Sequence, residues 1–304
     1  MMWSSRALRR VALAATAALA LTGLAACGGD DDSGDKGDSA VEKKITIGYM
    51  AWDEAVAASY LWSDLLQKQG FEVDLKNVEA GVVYQGLAAG DIDLFLDGWL
   101  PQTHASYWER YSDDLEKIGV WYDNASLSIA VPQYVTGVDS LADLAGNADT
   151  FDGEIIGIEP GAGLTAATQD KVIPEYGMTG KLDLKTSSTP AMLAALDGAI
   201  KDEKPIVVTL WHPHWAYAKY QLKDLADPKG TLGQAEEITT LARKGFSADF
   251  PEATEMLKKF TMSDDQLGSL EDLMFNVHAD NEEKAVEEWL KANPDFATSL
   301  GATS

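Results

Sequence analysis

Three tryptophans of this chain follow segments whose composition predicts β-strands. Trp52, Trp99 and Trp211 come directly after the runs 45–51, 91–98 and 206–210. In open α/β sheets, ligands bind just beyond the carboxyl ends of the strands, so indole rings at these positions can face one common site. The negative face of an indole attracts a cation, and it suits a quaternary ammonium group because that group has no N–H to donate. The sequence therefore predicts an aromatic cage for such a cation.

A glycine-rich turn and a histidine offer donors for an anionic group. The run 155–165 is predicted to be a strand, a turn and a helix start, with Gly163 and Leu164 in the first helical turn. Free backbone N–H groups there can hold a carboxylate, helped by the helix dipole. Many α/β proteins have such turns that bind nothing, and this one matches no nucleotide-binding pattern. His104 follows Trp99 by five residues, and it is either a donor to the same carboxylate or a surface or helix-capping residue.

The other tryptophans have a purely structural interpretation. The chain has nine tryptophans, and most tryptophans pack in cores or interfaces. Those within helical patterns are predicted to pack (Trp62, Trp108 and Trp289), whereas two others stay ambiguous (Trp121 and Trp215). Any one of the three strand-end tryptophans could equally be core. Their shared position, with a local turn signature around each, is what favours binding.

The remaining candidates for chemistry are weaker. Asp53 is predicted to cap the helix that begins at Glu54. His212 and His214 could suggest a metal ion, but Pro213 separates them and no cysteine is available nearby, which argues against one. The sequence therefore predicts no metal site and no cofactor.

Residues 1–26 are predicted to be a lipoprotein signal peptide. Arg6, Arg9 and Arg10 precede the apolar run 11–24, and small residues follow it. This order is that of a secretory signal. The run is too short to span a bilayer, which takes about 20 apolar residues.

Cys27 is predicted to carry a lipid anchor. It is the only cysteine of the chain, and Leu-Ala-Ala comes directly before it, as in the bacterial lipobox. Cleavage there would make Cys27 the first residue of the mature protein, and more than one acyl chain is needed for firm attachment to a membrane. Residues 27–42 are rich in Gly, Ser and Asp and are predicted to be a flexible tether. The predicted location is the outer face of the cell membrane.

The chain is strongly acidic. Its formal net charge is −25, and removal of residues 1–26 takes away three arginines and no acids, so the mature charge is −28. Binding of nucleic acid needs a basic face, so no nucleic-acid partner is expected. Solubility is the simplest explanation of the charge, with weak steering of a cationic ligand as a second effect.

Beyond the tether, predicted strands and helices alternate. Strands are predicted at 45–51, 71–78, 91–96, 118–122, 127–131, 154–158, 182–185 and 206–210. Helices are predicted at 54–69, 82–89, 101–115, 164–175 and 189–200, and the chain beyond 236 is predicted to be mainly helical. This alternation predicts a parallel sheet covered by helices on both faces.

Two α/β units with a helical tail predict an α/β fold of the type II periplasmic-binding-protein kind, with two lobes. The first lobe is predicted at 43–128 plus 238–304, and the second at 129–237. The chain would cross between the lobes near 126–131 and 236–241, which together make a two-segment hinge. The ligand would then lie in the cleft, and hinge closure would enclose it.

Six short motifs, at 49–54, 98–104, 131–134, 157–163, 211–215 and 243–246, carry a family resemblance. Together they strongly resemble the glycine betaine-binding lipoproteins of ABC uptake systems. The likeness covers nearly all of the chain from about 44 to 294, and the combined motifs are specific. The resemblance implies uptake of a compatible solute for osmoprotection, with a membrane permease and an ATPase as partners.

The resemblance also implies a role for each candidate residue. The three strand-end tryptophans would form a prism around a trimethylammonium group. The N–H groups of Gly163 and Leu164 and the side chain of His104 would hold the ligand's carboxylate. A sister group that binds choline adds a tyrosine as a fourth wall, where this chain has Leu127, and it lacks the Thr103-His104 pair. Both departures favour a zwitterion such as glycine betaine or proline betaine, with carnitine and choline as alternatives.

Other classes of protein are less well supported. A hydrolase is not expected, because no segment assembles a nucleophile, a base and an oxyanion donor, and no paired carboxylates stand out. A sugar-binding or metal-binding lipoprotein is a further alternative, although histidines are scarce. We therefore expect a monomeric binding protein that is not an enzyme.

Overall fold

In the computed structural model, the described part of the chain comprises residues 43–279 and 281–302. The predictions for the signal peptide, for Cys27 and for the tether at 27–42 concern residues outside this part. Among the described residues, no helix has the length and apolar character needed to cross a membrane.

The strands of the described residues join in one sheet. They are β1 (Lys44–Tyr49), β2 (Glu72–Asn77), β3 (Leu94–Leu100), β4 (Leu115–Pro132), β5 (Glu154–Ile156), β6 (Asp183–Lys185), β7 (Val208–His212), β8 (Leu222–Asp224) and β9 (Glu236–Arg243). Their order is β2-β1-β3-β9-β4-β7-β5-β6, and β8 pairs with β4 outside this path.

The sheet is mixed, which corrects the prediction of a parallel sheet. Strand β1 runs parallel to β2 and β3, and β5 runs parallel to β6 and β7. Strand β9 is antiparallel to β3 and β4, and β4 is also antiparallel to β7 and β8. Apolar patterning marks a strand but does not fix its direction, which depends on where the chain re-enters the sheet.

Strand β4 is a single long strand where the sequence predicts two. Its first part pairs with β9 as far as Ala125, with three register shifts, and its second part pairs with β7 from Ser126. Strand β9 itself lies where the sequence predicts mainly helix. The change of partner between Ala125 and Ser126 falls close to the predicted crossing at 126–131. The lobe boundaries themselves stay a prediction.

Helices cover the sheet. They are α1 (Asp53–Lys68), α2 (Ala80–Ala89), α3 (Ala105–Tyr111), α4 (Leu141–Leu144), α5 (Gly163–Ala167), α6 (Ile173–Glu175), α7 (Thr189–Lys201), α8 (Ala216–Lys219), α9 (Phe246–Asp249), α10 (Pro251–Leu257), α11 (Asp264–Asp272), α12 (Glu282–Ala292) and α13 (Pro294–Leu300). Short 3₁₀ segments lie at Ser112–Asp114 and Ala148–Phe151, and π-helical segments at Thr168–Val172 and Leu273–Val277. The helix predicted over 101–115 corresponds to the shorter helix α3, because residues 101–104 form a turn before it.

Aromatic packing accounts for several of the tryptophans. Trp62 and Trp121 both pack against the ring of Phe260, with centroids 5.3 and 5.1 Å apart. Trp289 packs edge-on against Phe296 at 4.9 Å. All three indoles are exposed by 1% or less, so the packing prediction for Trp62 and Trp289 is confirmed and Trp121 is also a core residue.

Candidate functional site

Three separate elements bring Trp52, Trp99 and Trp211 to one small cavity. The residues that line it are Trp52, Glu54, Trp99, Thr103, Leu127, Ile158, Ala162, Gly163, Leu164 and Trp211. Trp52 lies three residues after the end of β1 and directly precedes α1, whereas Trp99 and Trp211 are the penultimate residues of β3 and β7. The prediction that these two follow their strands is wrong, since each strand continues for one residue beyond the indole. All three side chains are 6% exposed or less.

A carboxyl group holds the indole N–H of each of these tryptophans. Trp52 Nε1 donates to Glu159 at 3.1 Å, Trp99 Nε1 to Asp97 at 3.0 Å, and Trp211 Nε1 to Glu54 at 2.8 Å. Hydrogen bonds to ionisable groups have strict geometry, so they fix the orientation of each ring. The three indoles that line the cavity are therefore positioned by polar contacts as well as by packing.

Hydrogen bonds join the two groups of elements that border the cavity. Trp52 and Glu54 belong to the start of α1, whereas their partners Glu159 and Trp211 lie in the predicted second lobe. Tyr107 of α3, in the predicted first lobe, likewise donates to the carbonyl oxygen of Gly161 in the predicted second lobe, at 2.9 Å. These three hydrogen bonds connect the two groups of elements beside the cavity.

His104 is buried beside the cavity in a defined tautomer. Its Nδ1 accepts the backbone N–H of Trp99 at 3.1 Å and lies 3.1 Å from the hydroxyl of Tyr84. A backbone N–H can only donate, so Nδ1 carries no proton and Nε2–H is a donor. Burial lowers the pKa of His104 to about 3, which keeps the ring neutral.

The free donor of His104 belongs to a ring that packs against a residue of the cavity lining. Nε2 has no hydrogen-bond partner among the described residues. The ring stacks on Trp52 at 5.6 Å, and its neighbour Thr103 lines the cavity, although His104 itself does not. The alternative of a surface or helix-capping histidine is wrong, because the side chain is fully buried and makes no capping hydrogen bond.

Gly163 and Leu164 lie side by side at the start of α5 and both line the cavity. The first N–H groups of a helix have no acceptor within that helix. A Cβ on Gly163 would lie 2.3 Å from the carbonyl oxygen of Thr103, so only glycine permits this close approach. The backbone N–H groups of Gly163 and Leu164 therefore lie in the first turn of α5, beside the cavity.

Sequence reasoning missed the acidic residues that organise the site. Glu236 accepts the backbone N–H groups of Gln102 and Thr103 at 2.7 and 2.9 Å and also the hydroxyl of Thr103. Glu159 accepts both the N–H and the hydroxyl of Thr189, at 2.8 and 3.1 Å. Glu54 and Glu159 stand within the quoted motifs, but nothing in the sequence indicated their partners.

Asp53 does not cap α1, which corrects that prediction. The residue before the helix is Trp52, no side chain caps it, and Asp53 is the first helical residue. Its carboxyl group accepts the indole N–H of Trp215 and lies 3.3 Å from Nε2 of His214. Burial raises the pKa of Asp53 to about 7 and lowers that of His214 to about 3. Trp215, ambiguous in the sequence, is therefore part of a buried network with Asp53 and His214.

The histidines at 212 and 214 have different partners. His212 Nε2 is 2.7 Å from Asp224, whereas His214 Nδ1 accepts the backbone N–H of Ala216 at 3.0 Å. Within residues 43–279 and 281–302, no cluster of three or more His, Cys, Asp or Glu is arranged to hold a metal ion.

Comparison with known proteins identifies the family. Residues 43–292 match the family model OpuAC, described as the substrate binding domain of the ABC-type glycine betaine transport system. The chain belongs to the OpuAC family. The resemblance inferred from the six motifs is thereby confirmed, and OpuAC members are transport binding proteins rather than enzymes.

Curated relatives of this OpuAC chain match over part of their length. A glycine betaine/carnitine transport binding protein of Listeria monocytogenes is 43% identical over 141 residues, which is 46% of each chain. A glycine betaine-binding periplasmic protein of Dickeya dadantii is 27% identical over 215 residues, or 66% of this chain and 63% of that one. The chain thus spans about half to two thirds of these relatives.

Solved structures match over more of the chain. A glycine/betaine/L-proline-binding protein of Borrelia burgdorferi is 31% identical with a TM-score of 0.80, covering 84% of this chain and 96% of that one. Lactococcal OpuAC, closed and complexed with glycine betaine, is 35% identical with a TM-score of 0.77, covering 84% and 98%. A choline binding protein in complex with choline is 26% identical with a TM-score of 0.78, covering 85% and 91%. The predicted α/β fold of the periplasmic-binding-protein kind is confirmed.

Proposed function

We propose that this OpuAC chain captures a zwitterionic quaternary amine, glycine betaine above all, and delivers it to the permease and ATPase of an ABC importer. The observation that carries the proposal is the convergence of Trp52, Trp99 and Trp211 on one cavity. Indole faces are the best partners for a quaternary ammonium group, which cannot donate a hydrogen bond. The protein would act outside the cytoplasm, anchored through Cys27 after removal of residues 1–26. Mass spectrometry of the mature N-terminus tests the anchor.

The other side of the cavity suits a carboxylate. The N–H groups of Gly163 and Leu164 lie at the start of a helix, where an anion is favoured. The Nε2–H of His104 is a third donor, buried and without a partner among the described residues. A ligand with a trimethylammonium group at one end and a carboxylate at the other fits these two sets of groups.

Leu127 supports a zwitterion over choline. It lines the cavity where the resemblance places the fourth aromatic wall of the choline binders. A leucine leaves that wall without a π-face, so three indoles hold the cation and the carboxylate donors supply the remaining affinity. Carnitine, which the Listeria relative is named for, and proline betaine share the same chemistry and stay alternatives.

The energetics allow micromolar affinity. A desolvated cation–π contact contributes about 2 kcal/mol, and a charge-assisted hydrogen bond about 1.5–3 kcal/mol. Ordering of the ligand and closure of the site oppose binding. A dissociation constant near micromolar, about −8 kcal/mol, follows from terms of this size.

The deciding experiment compares two tryptophans by calorimetric titration with glycine betaine. Trp99→Ala removes a cage wall, so we expect the affinity to fall at least about 30-fold, the equivalent of about 2 kcal/mol. Trp108 is the control, because it is half-buried on α3 and packs below the ammonium of Lys117 at 4.4 Å. Trp108→Ala should change the affinity by less than about threefold, a difference of under 1 kcal/mol. Equal losses of affinity in both variants would contradict the assignment of Trp99 to the binding cage.

A ligand panel separates the alternatives. Wild-type protein titrated with glycine betaine, proline betaine, carnitine, choline, a sugar and zinc should bind glycine betaine or proline betaine most tightly. Choline as the tightest ligand would favour the sister group, and binding of only the sugar or zinc would reject the proposal. Unchanged ligand after prolonged incubation, followed by NMR, is expected of a binding protein.

A further inference from the structure

Glu54 is the acidic residue that lines the cage. It is 1% exposed, and Oε2 accepts the indole N–H of Trp211 at 2.8 Å. Within the described residues, no lysine or arginine forms an ion pair with it. Burial of an ionised carboxyl group is energetically costly unless an opposite charge lies close to it. Cage packing alone gives no reason for an acid at this position.

Other buried acids surround Glu54. Asp53 is its neighbour on α1, Asp97 comes from β3, and Glu271 comes from α11, and each interacts electrostatically with Glu54. Asp97 Oδ2 and both carboxyl oxygens of Glu271 have no hydrogen-bond partner among the described residues. The nearby His214, which contacts Asp53, is neutral because burial lowers its pKa. The acids therefore face one another without a compensating positive charge.

This environment favours a proton on Glu54 while the cage is empty. Burial raises the pKa of Glu54 to about 8, and the charge of Asp53 adds to the rise. The backbone N–H of Glu54 itself and the indole N–H of Trp211 oppose the rise, because both donate hydrogen bonds that favour the carboxylate. A cation in the cage would act in the same direction as these two, because an opposite charge within a few ångström lowers the pKa of a carboxyl group.

We propose that the carboxylate of Glu54 is the anionic wall of the cage, which selects a positively charged head group and releases its proton when that group binds. This inference rests on the proposed function. It identifies the residue that discriminates between a positively charged and an uncharged head group. In the binding step the O–H bond of the Glu54 carboxyl breaks, its electron pair stays on the carboxylate, and the proton passes to the buffer. The ligand itself is unchanged.

Proton release is the first test, on wild-type protein. Calorimetric titrations with glycine betaine in two buffers of different ionisation enthalpy measure the protons released. We expect release between pH 6.5 and 8, and an affinity that rises roughly tenfold from pH 6.5 to 8.5, because only the deprotonated fraction is competent to bind. A flat affinity with no proton release would overturn the proposal, whether or not any variant folds.

Charge selection is the second test. The carbon isostere of glycine betaine, 3,3-dimethylbutanoate, has the same shape and carboxylate but no positive charge. Wild-type protein should prefer glycine betaine at least about 100-fold, which is about 2.7 kcal/mol. Glu54→Gln should reduce this preference about tenfold and abolish proton release, whereas Glu54→Asp should restore both in part. Glu252→Gln, at an exposed position on α10, should match the wild type.

The outcomes distinguish the two levels of the proposal. If wild-type protein binds no quaternary amine, the proposed function fails. If it binds glycine betaine but Glu54→Gln keeps the full preference over the isostere, only the role of Glu54 fails.

Discussion

Among the individual residues, His104 is the proposed donor for which the surroundings determine which ring nitrogen carries the proton. Its Nδ1 is occupied by the N–H of Trp99, so Nε2–H is free to donate. His104→Ala should weaken glycine betaine binding about 10- to 100-fold, as expected for loss of a hydrogen bond to a charged group. Tetramethylammonium has no carboxylate, so its affinity should change by less than about threefold, under 1 kcal/mol. Calorimetric titration of both ligands measures the contrast.

The control for this contrast is His212→Ala, since His212 pairs with Asp224 and does not line the cavity. It should leave both affinities unchanged. Parallel losses for glycine betaine and tetramethylammonium in His104→Ala would mean that the ring only supports Trp52 by stacking and does not bind the carboxylate.

The convergence of three tryptophans on one cavity could be predicted from the sequence, but the acids that hold their indole N–H groups could not. Trp52, Trp99 and Trp211 carry a recognisable side chain, and each stands in a local signature. Glu159 and Glu54 act on indoles that are 107 and 157 residues away in the chain. Such pairs depend on how distant elements meet, and one sequence contains no local signal for that.

At the scale of elements, the close approach of α5 to the turn before α3 is the tightest fit of the site. A Cβ on Gly163 would lie 2.3 Å from the carbonyl oxygen of Thr103 and 2.5 Å from its methyl group. Because the predicted lobes separate Gly163 from Thr103, Gly163→Ala should obstruct closure rather than folding. We expect at least about a 100-fold loss of glycine betaine affinity, about 2.7 kcal/mol, with an unfolding temperature of the ligand-free protein close to that of the wild type.

Gly198→Ala is the matched control. Gly198 lies on the exposed face of α7, and no atom comes within 4 Å of an added Cβ. The change should leave affinity intact and stabilise the helix by about 0.5–1 kcal/mol. A large fall in the unfolding temperature of ligand-free Gly163→Ala would show instead that the contact belongs to the folded core.

The elements themselves were predictable where the signal is local. Helix α1 was predicted at 54–69 and lies at Asp53–Lys68, and the left-handed Gly90 ends α2 as expected. Strand β9 was missed because Glu236–Arg243 mixes two acids, two threonines and an arginine with few apolar residues. Its pairing with β3 and β4 comes from tertiary context, which overrides intrinsic propensity.

At the scale of the whole molecule, burial of acids and histidines sets how stability depends on pH. Asp53 and Glu54 have pKa values raised to about 7 and 8 by burial, so the folded protein holds protons that the unfolded chain has released. His104 and His214 have pKa values lowered to about 3, so the unfolded chain takes up protons below its ordinary histidine pKa of about 6.5. Between pH 6.5 and about 7.5 these two histidines are still partly protonated in the unfolded chain and offset part of the effect of the acids, and at higher pH the buried acids dominate.

The stability of the ligand-free protein should therefore fall as pH rises from 6.5 to 8.5. Stability decreases with pH wherever the folded state binds more protons, and the loss should be on the order of 2 kcal/mol because each pKa unit corresponds to about 1.4 kcal/mol. Chemical denaturation at several pH values measures the effect, and Glu54→Gln should make the profile flatter. A profile that is level or rises with pH would mean that the buried carboxyl groups are ionised in the folded protein.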